Sequence, residues 1–121
     1  MDIESKKAIV FGGTSGIGLA TCLELQARGA NVVSVSRNPN RAGTSIDGIC
    51  LAAVDARDSN AVSAFFETQG KIDILISSAT GGSRAFGPFL EMDINGFKGS
   101  FDKLWGYSNV VRYGAPKLSD H

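Results

Sequence analysis

An α/β fold built on a parallel sheet is what the 121-residue sequence predicts. Three observations carry that expectation. Short apolar, β-branched runs alternate with helical segments of about 10 to 15 residues, the rhythm of βαβ units with right-handed crossovers. Four glycines crowd into "FGGTSGIG" (11–18), between the first such run and the first helical segment. No internal repeat, low-complexity tract or interdomain linker breaks the order, so residues 1–121 read as a single domain.

The elements follow in turn. "KKAIVFG" (6–12) holds a continuous apolar run bounded by polar residues and glycine, suited to a strand buried on both faces. "GIGLATCLELQARG" (16–29) places Ile17, Ala20, Leu23 and Ala27 at helical spacing, with Gly29 set to stop the helix. "NVVSVS" (31–36) is β-branched and predicts a second strand; "RNPNRAG" (37–43) after it is loop. "GICLAAV" (48–54) predicts a third strand, and Asp58 or Ser59 can cap a helix through "NAVSAFFETQG" (60–70). "IDILIS" (72–77) is a fourth strand, followed by the loop "SATGGSRAFGPF" (78–89). The last helix covers about 92–113, with Phe97, Phe101, Leu104 and Trp105 forming one face.

Composition narrows the function classes. At 43% hydrophobic and 20% charged residues, the chain resembles an ordinary globular domain. Twelve basic residues balance twelve acidic ones, which argues against a nucleic-acid or membrane surface. The N-terminus is too short in apolar residues and too acidic for a signal peptide, and no run approaches a membrane span. Cys22 and Cys50 form no CxxC pair and have no nearby histidine, so two reduced, buried thiols in a cytoplasmic protein are expected. His121 is the only histidine, which leaves no histidine triad and no zinc site.

The glycine cluster can be tested against phosphate-loop templates. A Walker A loop needs lysine after its last glycine, and Leu19 stands there instead. A GxGxxG pattern would need glycine at position 21, which is Thr21. The spacing that fits is GxxxGxG, at Gly12, Gly16 and Gly18, where a doubly wound sheet holds a dinucleotide's pyrophosphate. Glycine permits close backbone approach there, and amides at a helix start attract anionic oxygen. Thr14 and Ser15 add hydroxyl donors. A glycine-rich turn can also merely join a strand to a helix, so the context matters. The second strand ends at Ser36 and Arg37, the latter 19 residues beyond Gly18, where such folds read the adenosine ribose. An acid would suit a free 2′-hydroxyl; Arg37, with Asn38 and Arg41 beside it, suits a 2′-phosphate. NADP(H) is therefore preferred over NAD(H).

At these residues the chain resembles the short-chain dehydrogenase/reductase family. Members carry T-G-x-x-x-G-I-G after the first strand, and "FGGTSGIG" matches with Phe11 in the threonine's place. They carry an aspartate after the third strand, supplied here in "VDARD" by Asp55. They carry N-N-A-G after the fourth, of which "SSAT" (77–80) keeps Ala79. They carry an asparagine in the next helix, supplied in "MDINGF" by Asn95. The resemblance implies a Rossmann-type doubly wound sheet, an alcohol/carbonyl oxidoreductase acting on a small molecule, and self-association into a homo-oligomer. It implies that Gly12, Thr14, Ser15, Gly16, Ile17 and Gly18 hold the pyrophosphate, and Arg37 and Asn38 the 2′-phosphate. Asp55 and Ala56 would meet the adenine, Ser78 and Ala79 the nicotinamide ribose, and Asn95 would be the catalytic residue supporting a proton relay. A non-catalytic nucleotide-binding regulatory or interaction module is the alternative.

One motif is rejected. The family's Tyr-x-x-x-Lys pair, with a serine about a dozen residues earlier, is mimicked by Tyr113 and Lys117 in "YGAPK" with Ser100 upstream. Tyrosine and lysine must share one helix face, yet Pro116 breaks an interior turn and Gly114 reads as a helix stop. A fifth strand before the tyrosine would also need on the order of 30 residues, whereas Asn95 to Tyr113 spans 18. The sequence is thus expected to stop before strand five, as the N-terminal half of a longer enzyme, leaving "IDILIS" as an apolar edge.

Overall fold

In a computed structural model, residues 2–39, 48–79 and 85–120 are described. The order is β1 (Lys7–Phe11), α1 (Gly16–Ala27), β2 (Asn31–Ser36), β3 (Ile49–Ala53), α2 (Ser59–Glu67), β4 (Ile74–Ser77) and α3 (Ile94–Gly114), then a 3-10 turn at Ala115–Lys117. Every strand and helix expected from the sequence is present, with ends shifted by a few residues. Arg41 and Thr80, and the loop positions around them, lie outside the described residues.

The four strands are parallel and ordered β3-β2-β1-β4. The chain runs outward from β1 through β2 to β3, then crosses back to the other side of β1 as β4. That reversal is a topological switch point, and it opens a crevice beyond the carboxyl ends of β1 and β4. Register is set by Ile9 opposite Val33 on one side and Leu75 on the other. β4 is an edge strand with all four residues half-buried, as the sequence led one to expect.

β1 is covered on both faces. Ile9 and Phe11 point toward α2 and α3, packing with Val35, Val62, Phe65, Phe66, Ile72 and Val110. Ala8 and Val10 point the other way, with Cys22, Ala30, Val32 and Ile49. Phe11 explains its own departure from the family threonine. Its ring is buried and meets Phe65 edge-on at 5.8 Å and Phe66 at 5.7 Å, so this position serves packing.

Helices α2 and α3 begin at carboxylates: Asp58 accepts from Ala61 N at 3.1 Å, and Asp93 from Asn95 N at 3.1 Å. Gly114 is the last residue of α3, where a Cβ would lie 2.6 Å from both Phe66 and Leu75, and the chain tightens into the 3-10 turn that holds Pro116. Beyond it the backbone returns to the sheet: Leu118 bridges Ile72, and Ser119 Oγ donates to Asp73 Oδ1 at 2.9 Å.

Three expectations are corrected. The inward stripe of α1 is Gly18 and Cys22 with Leu25, whereas Ile17 is 81% exposed and Leu23 is exposed too. Small residues let α1 lie close to β1, and the larger apolar ones are turned outward. The same holds for α3. Its buried residues are Gly96, Gly99, Gly106, Asn109, Val110 and Gly114, while Phe101, Leu104 and Trp105 are exposed. Finally, Cys22 is buried but Cys50 is exposed, because β3 is an edge strand whose residues Cys50 and Leu51 lie open.

Candidate functional site

β1, β2, β3 and β4 all end at the same edge of the sheet, so the segments after them converge on the switch-point crevice. A cavity of about 730 Å³ occupies it, within the span of small-molecule sites. The floor is the glycine loop. Gly12 N donates to Val35 O at 2.7 Å and Gly13 N to the same oxygen at 3.4 Å, which stitches the loop to β2. A Cβ at Gly12 would lie 2.7 Å from Ala79 N, and one at Gly18 would lie 1.8 Å from Gly12 O. No side chain fits at either place. Gly16 has open space around it and φ +54°, a conformation that favours glycine.

This packing presses the first turn of α1 against the end of β1. Ser15, the N-cap, makes no side-chain capping bond, so its hydroxyl does not cover the first-turn amides. Thr14, Ser15, Gly16 and Ile17 all border the cavity. The result is a helix N-terminus with room in front of it, the geometry that favours an anionic group.

The second wall comes from β2 and β3. Ser36, Arg37 and Asn38 border the cavity, and Ser36 Oγ is buried with no hydrogen-bond partner among the described residues. Next along the wall are Asp55, Ala56 and Arg57. Asp55 Oδ1 accepts from Arg57 N at 2.9 Å and from Arg57 Nε at 3.1 Å, while Oδ2 accepts from Arg57 Nη2 at 3.0 Å. These hydrogen bonds hold the Asp55 carboxyl below the usual carboxylate range, and the charges of Arg57 and Arg37 act in the same direction. On the third side Ser78 ties β4 to β1, its N and Oγ donating to Phe11 O at 2.8 and 3.0 Å. Ala79 lies against Gly12.

The cavity therefore brings together Gly12, Thr14, Ser15, Gly16, Ile17, Gly18, Arg37, Asn38, Asp55, Ala56, Ser78 and Ala79. It does not bring in Asn95, which is exposed in the first turn of α3. α3 reaches the cavity two turns later, through Asp102, Lys103 and Gly106. Tyr113 packs beside the core around Phe66, and Lys117 Nζ lies 3.4 Å from Glu67 Oε1, so neither borders the cavity. Four polar lining residues escaped sequence reasoning: Ser36, Arg57, Asp102 and Lys103. Arg57 had a local signal, since "DARD" sets a guanidinium two residues after Asp55. The α3 residues had none, because their approach depends on tertiary packing.

The residues fit a dinucleotide. Two side-chain-free contacts clear space at a helix start, an orphaned hydroxyl stands beside an arginine at the end of β2, and a fixed carboxylate follows β3. Fold and site together define a protein of the doubly wound α/β class with a polar cavity at its switch point.

Comparison with known proteins narrows the class. A family model described as short chain dehydrogenase matches residues 6–121. L-xylulose reductase of Mesocricetus auratus is 32% identical over 105 residues, covering 84% of this chain and 42% of that protein. The crystal structure of a small-chain dehydrogenase in complex with NADPH superposes with a TM-score of 0.77 at 28% identity, over 97% of this chain and 48% of that one. The 3-ketoacyl-(acyl-carrier-protein) reductase of Brucella melitensis, complexed with NADH, gives 0.80 at 26% identity, over 95% and 51%. The chain belongs to the short-chain dehydrogenase/reductase family. It spans about half the length of these relatives.

Proposed function

We propose that this chain is the nucleotide-binding part of an oxidoreductase that uses NADP(H) to interconvert an alcohol and a carbonyl on a small molecule. The observation that carries the reading is the Gly12–Gly18 contact, which clears the start of α1 in the same cavity that Arg37 lines. When bound, the nicotinamide supplies or accepts hydride. The chain's own residues bind and orient: α1 and the hydroxyls of Thr14 and Ser15 toward the diphosphate, Arg37 and Asn38 toward a 2′-phosphate, Asp55 and Ala56 toward adenine, Ser78 and Ala79 toward the nicotinamide ribose. The relatives with NADPH and with NADH support a nicotinamide cofactor of either kind; Arg37 and the unpartnered Ser36 hydroxyl favour the 2′-phosphate.

Tyr113 and Lys117 do not border this cavity, so we assign proton transfer to neither and propose that the 121-residue chain alone turns over no substrate. Its length against its relatives supports reading it as half of a longer enzyme. Self-association and a cytoplasmic location belong to the same reading. The exposed apolar face of α3 supports the first, and two free thiols support the second. No helix among the described residues is long and apolar enough to cross a membrane.

Calorimetric titration with NADPH and NADH tests the reading. NADPH is expected to bind more tightly, and Arg37→Asp to shift the ratio toward NADH by about tenfold or more. An unchanged ratio removes Arg37 from its role, and a folded chain that binds neither dinucleotide ends the proposal.

A further inference from the structure

Asp55 is the residue by which this cavity would read adenine, yet an aspartate on a loop has several rotamers and only one useful direction. The structure shows what fixes it. Arg57 grips both carboxylate oxygens through its side chain and adds its backbone N–H to Oδ1. Oδ1 thus has two donors and Oδ2 one, and since a carboxylate oxygen accepts about two hydrogen bonds, a direction on Oδ2 stays open. Asp55 is part-exposed and borders the cavity.

Arg57 is itself held by two residues of α3, and its neighbour Ala56 by a third. Its Nη1 faces Asp102 Oδ2 at 3.4 Å. Its carbonyl accepts from Trp105 Nε1 at 3.0 Å, and the neighbouring Ala56 carbonyl accepts from the buried Asn109 Nδ2 at 2.9 Å. The loop after β3 is therefore clamped by one helix face, with Gly106 against Ala56 keeping the approach close.

We propose that Arg57 is a positioning residue for base selection: it holds the Asp55 carboxylate with one acceptor direction free for the exocyclic 6-amino group of adenine, and Asp102 on α3 holds Arg57 in place. A 6-oxo purine offers an acceptor where the amino group would donate, so the fixed carboxylate disfavours it. This inference rests on the dinucleotide reading above.

The test compares NADPH with its 6-oxo analogue, reduced nicotinamide hypoxanthine dinucleotide phosphate, by calorimetry, with quenching of Trp105, the only tryptophan, as a second readout. The parent chain is expected to prefer the adenine form by about tenfold, the size of one charge-assisted hydrogen bond. Arg57→Leu is expected to cut the preference below about threefold while the 6-oxo affinity stays within about twofold. Asp102→Asn, which leaves the Asp55 pair in place and guards against an unfolded leucine variant, is expected to cut it by a smaller factor. Equal weakening of both ligands by Arg57→Leu means a purely structural role and overturns the proposal. So does a parent chain that binds both ligands equally. A parent that binds neither overturns the dinucleotide reading instead, so the two failures are distinguishable.

Discussion

The carbonyl oxygen of Gly12 and the Cα of Gly18 approach so closely that a methyl group on Gly18 would lie 1.8 Å from that oxygen. Neither side can retreat. Gly12 is hydrogen-bonded to Val35 and lies against the Ala79 backbone, while Gly18 is already inside the first turn of α1. Gly18→Ala is expected to destabilise the chain by about 3 kcal/mol, at the upper end for overpacking, and to weaken NADPH binding. Gly16→Ala meets open space and strains only φ, a cost of about 1 kcal/mol. Urea unfolding of the two variants separates these costs; equal midpoints would show that the contact is not a constraint.

Two glycines of α3 make a second pair. Alanine at position 114 would push into buried Phe66 and into Leu75 at 2.6 Å, and Gly114→Ala is expected to cost about 1–3 kcal/mol. At Gly106 the neighbour is the Ala56 Cβ at 3.3 Å. There the tight contact opposes a helix-propensity gain of about 1 kcal/mol, and Gly106→Ala is expected to change stability little. Thermal unfolding checks both.

The two thiols should differ. Cys50 is exposed and is expected to react at once with a disulfide reagent, whereas Cys22 is expected to react only on unfolding. Burial pushes the Cys22 thiol up, so its contribution to stability is complete below the ordinary thiol pKa of about 8.5 and is lost as pH rises through the raised folded value. Stability measured across alkaline pH should fall more steeply for the parent than for Cys22→Ala.

Asp55 gives the opposite sign. Its folded pKa is lowered, chiefly by the Arg57 hydrogen bond, so the stabilisation is present above the unfolded carboxylate value of about 3.9 and lost as pH falls through the lower folded one. Both side chains are about one-third exposed, so solvent screening keeps the effect under about 1 kcal/mol. Asp55→Asn should be slightly less stable than the parent at pH 7 and indistinguishable from it in strong acid. A gap that persists there would locate the effect in packing.

Much of the architecture was legible because the signals were local. Apolar runs such as "KAIVF" and "NVVSVS", a glycine cluster between strand and helix, and Pro116 after α3 each act through the residue's own backbone or its nearest turn. What the sequence concealed was orientation. Ile17 and Leu23 on α1, and Phe101, Leu104 and Trp105 on α3, have helical spacing but face outward, because glycine and small residues give closer approach to the sheet. Helical periodicity identifies an apolar stripe without saying which neighbour covers it. The cavity followed the same division. Gly12 to Gly18 and Arg37 were readable from the order of elements, while Asp102 and Lys103 reach the wall only once α3 has crossed the sheet.

The central place of β1 sets the order in which this molecule can assemble. Its bonds to β2 close short loops, but those joining it to β4 and its preceding residue span a separation of 66, as between Lys7 and Asp73. Closing the longer loop costs more chain entropy, so the pairing of β1 with β4 is expected to form after its pairing with β2.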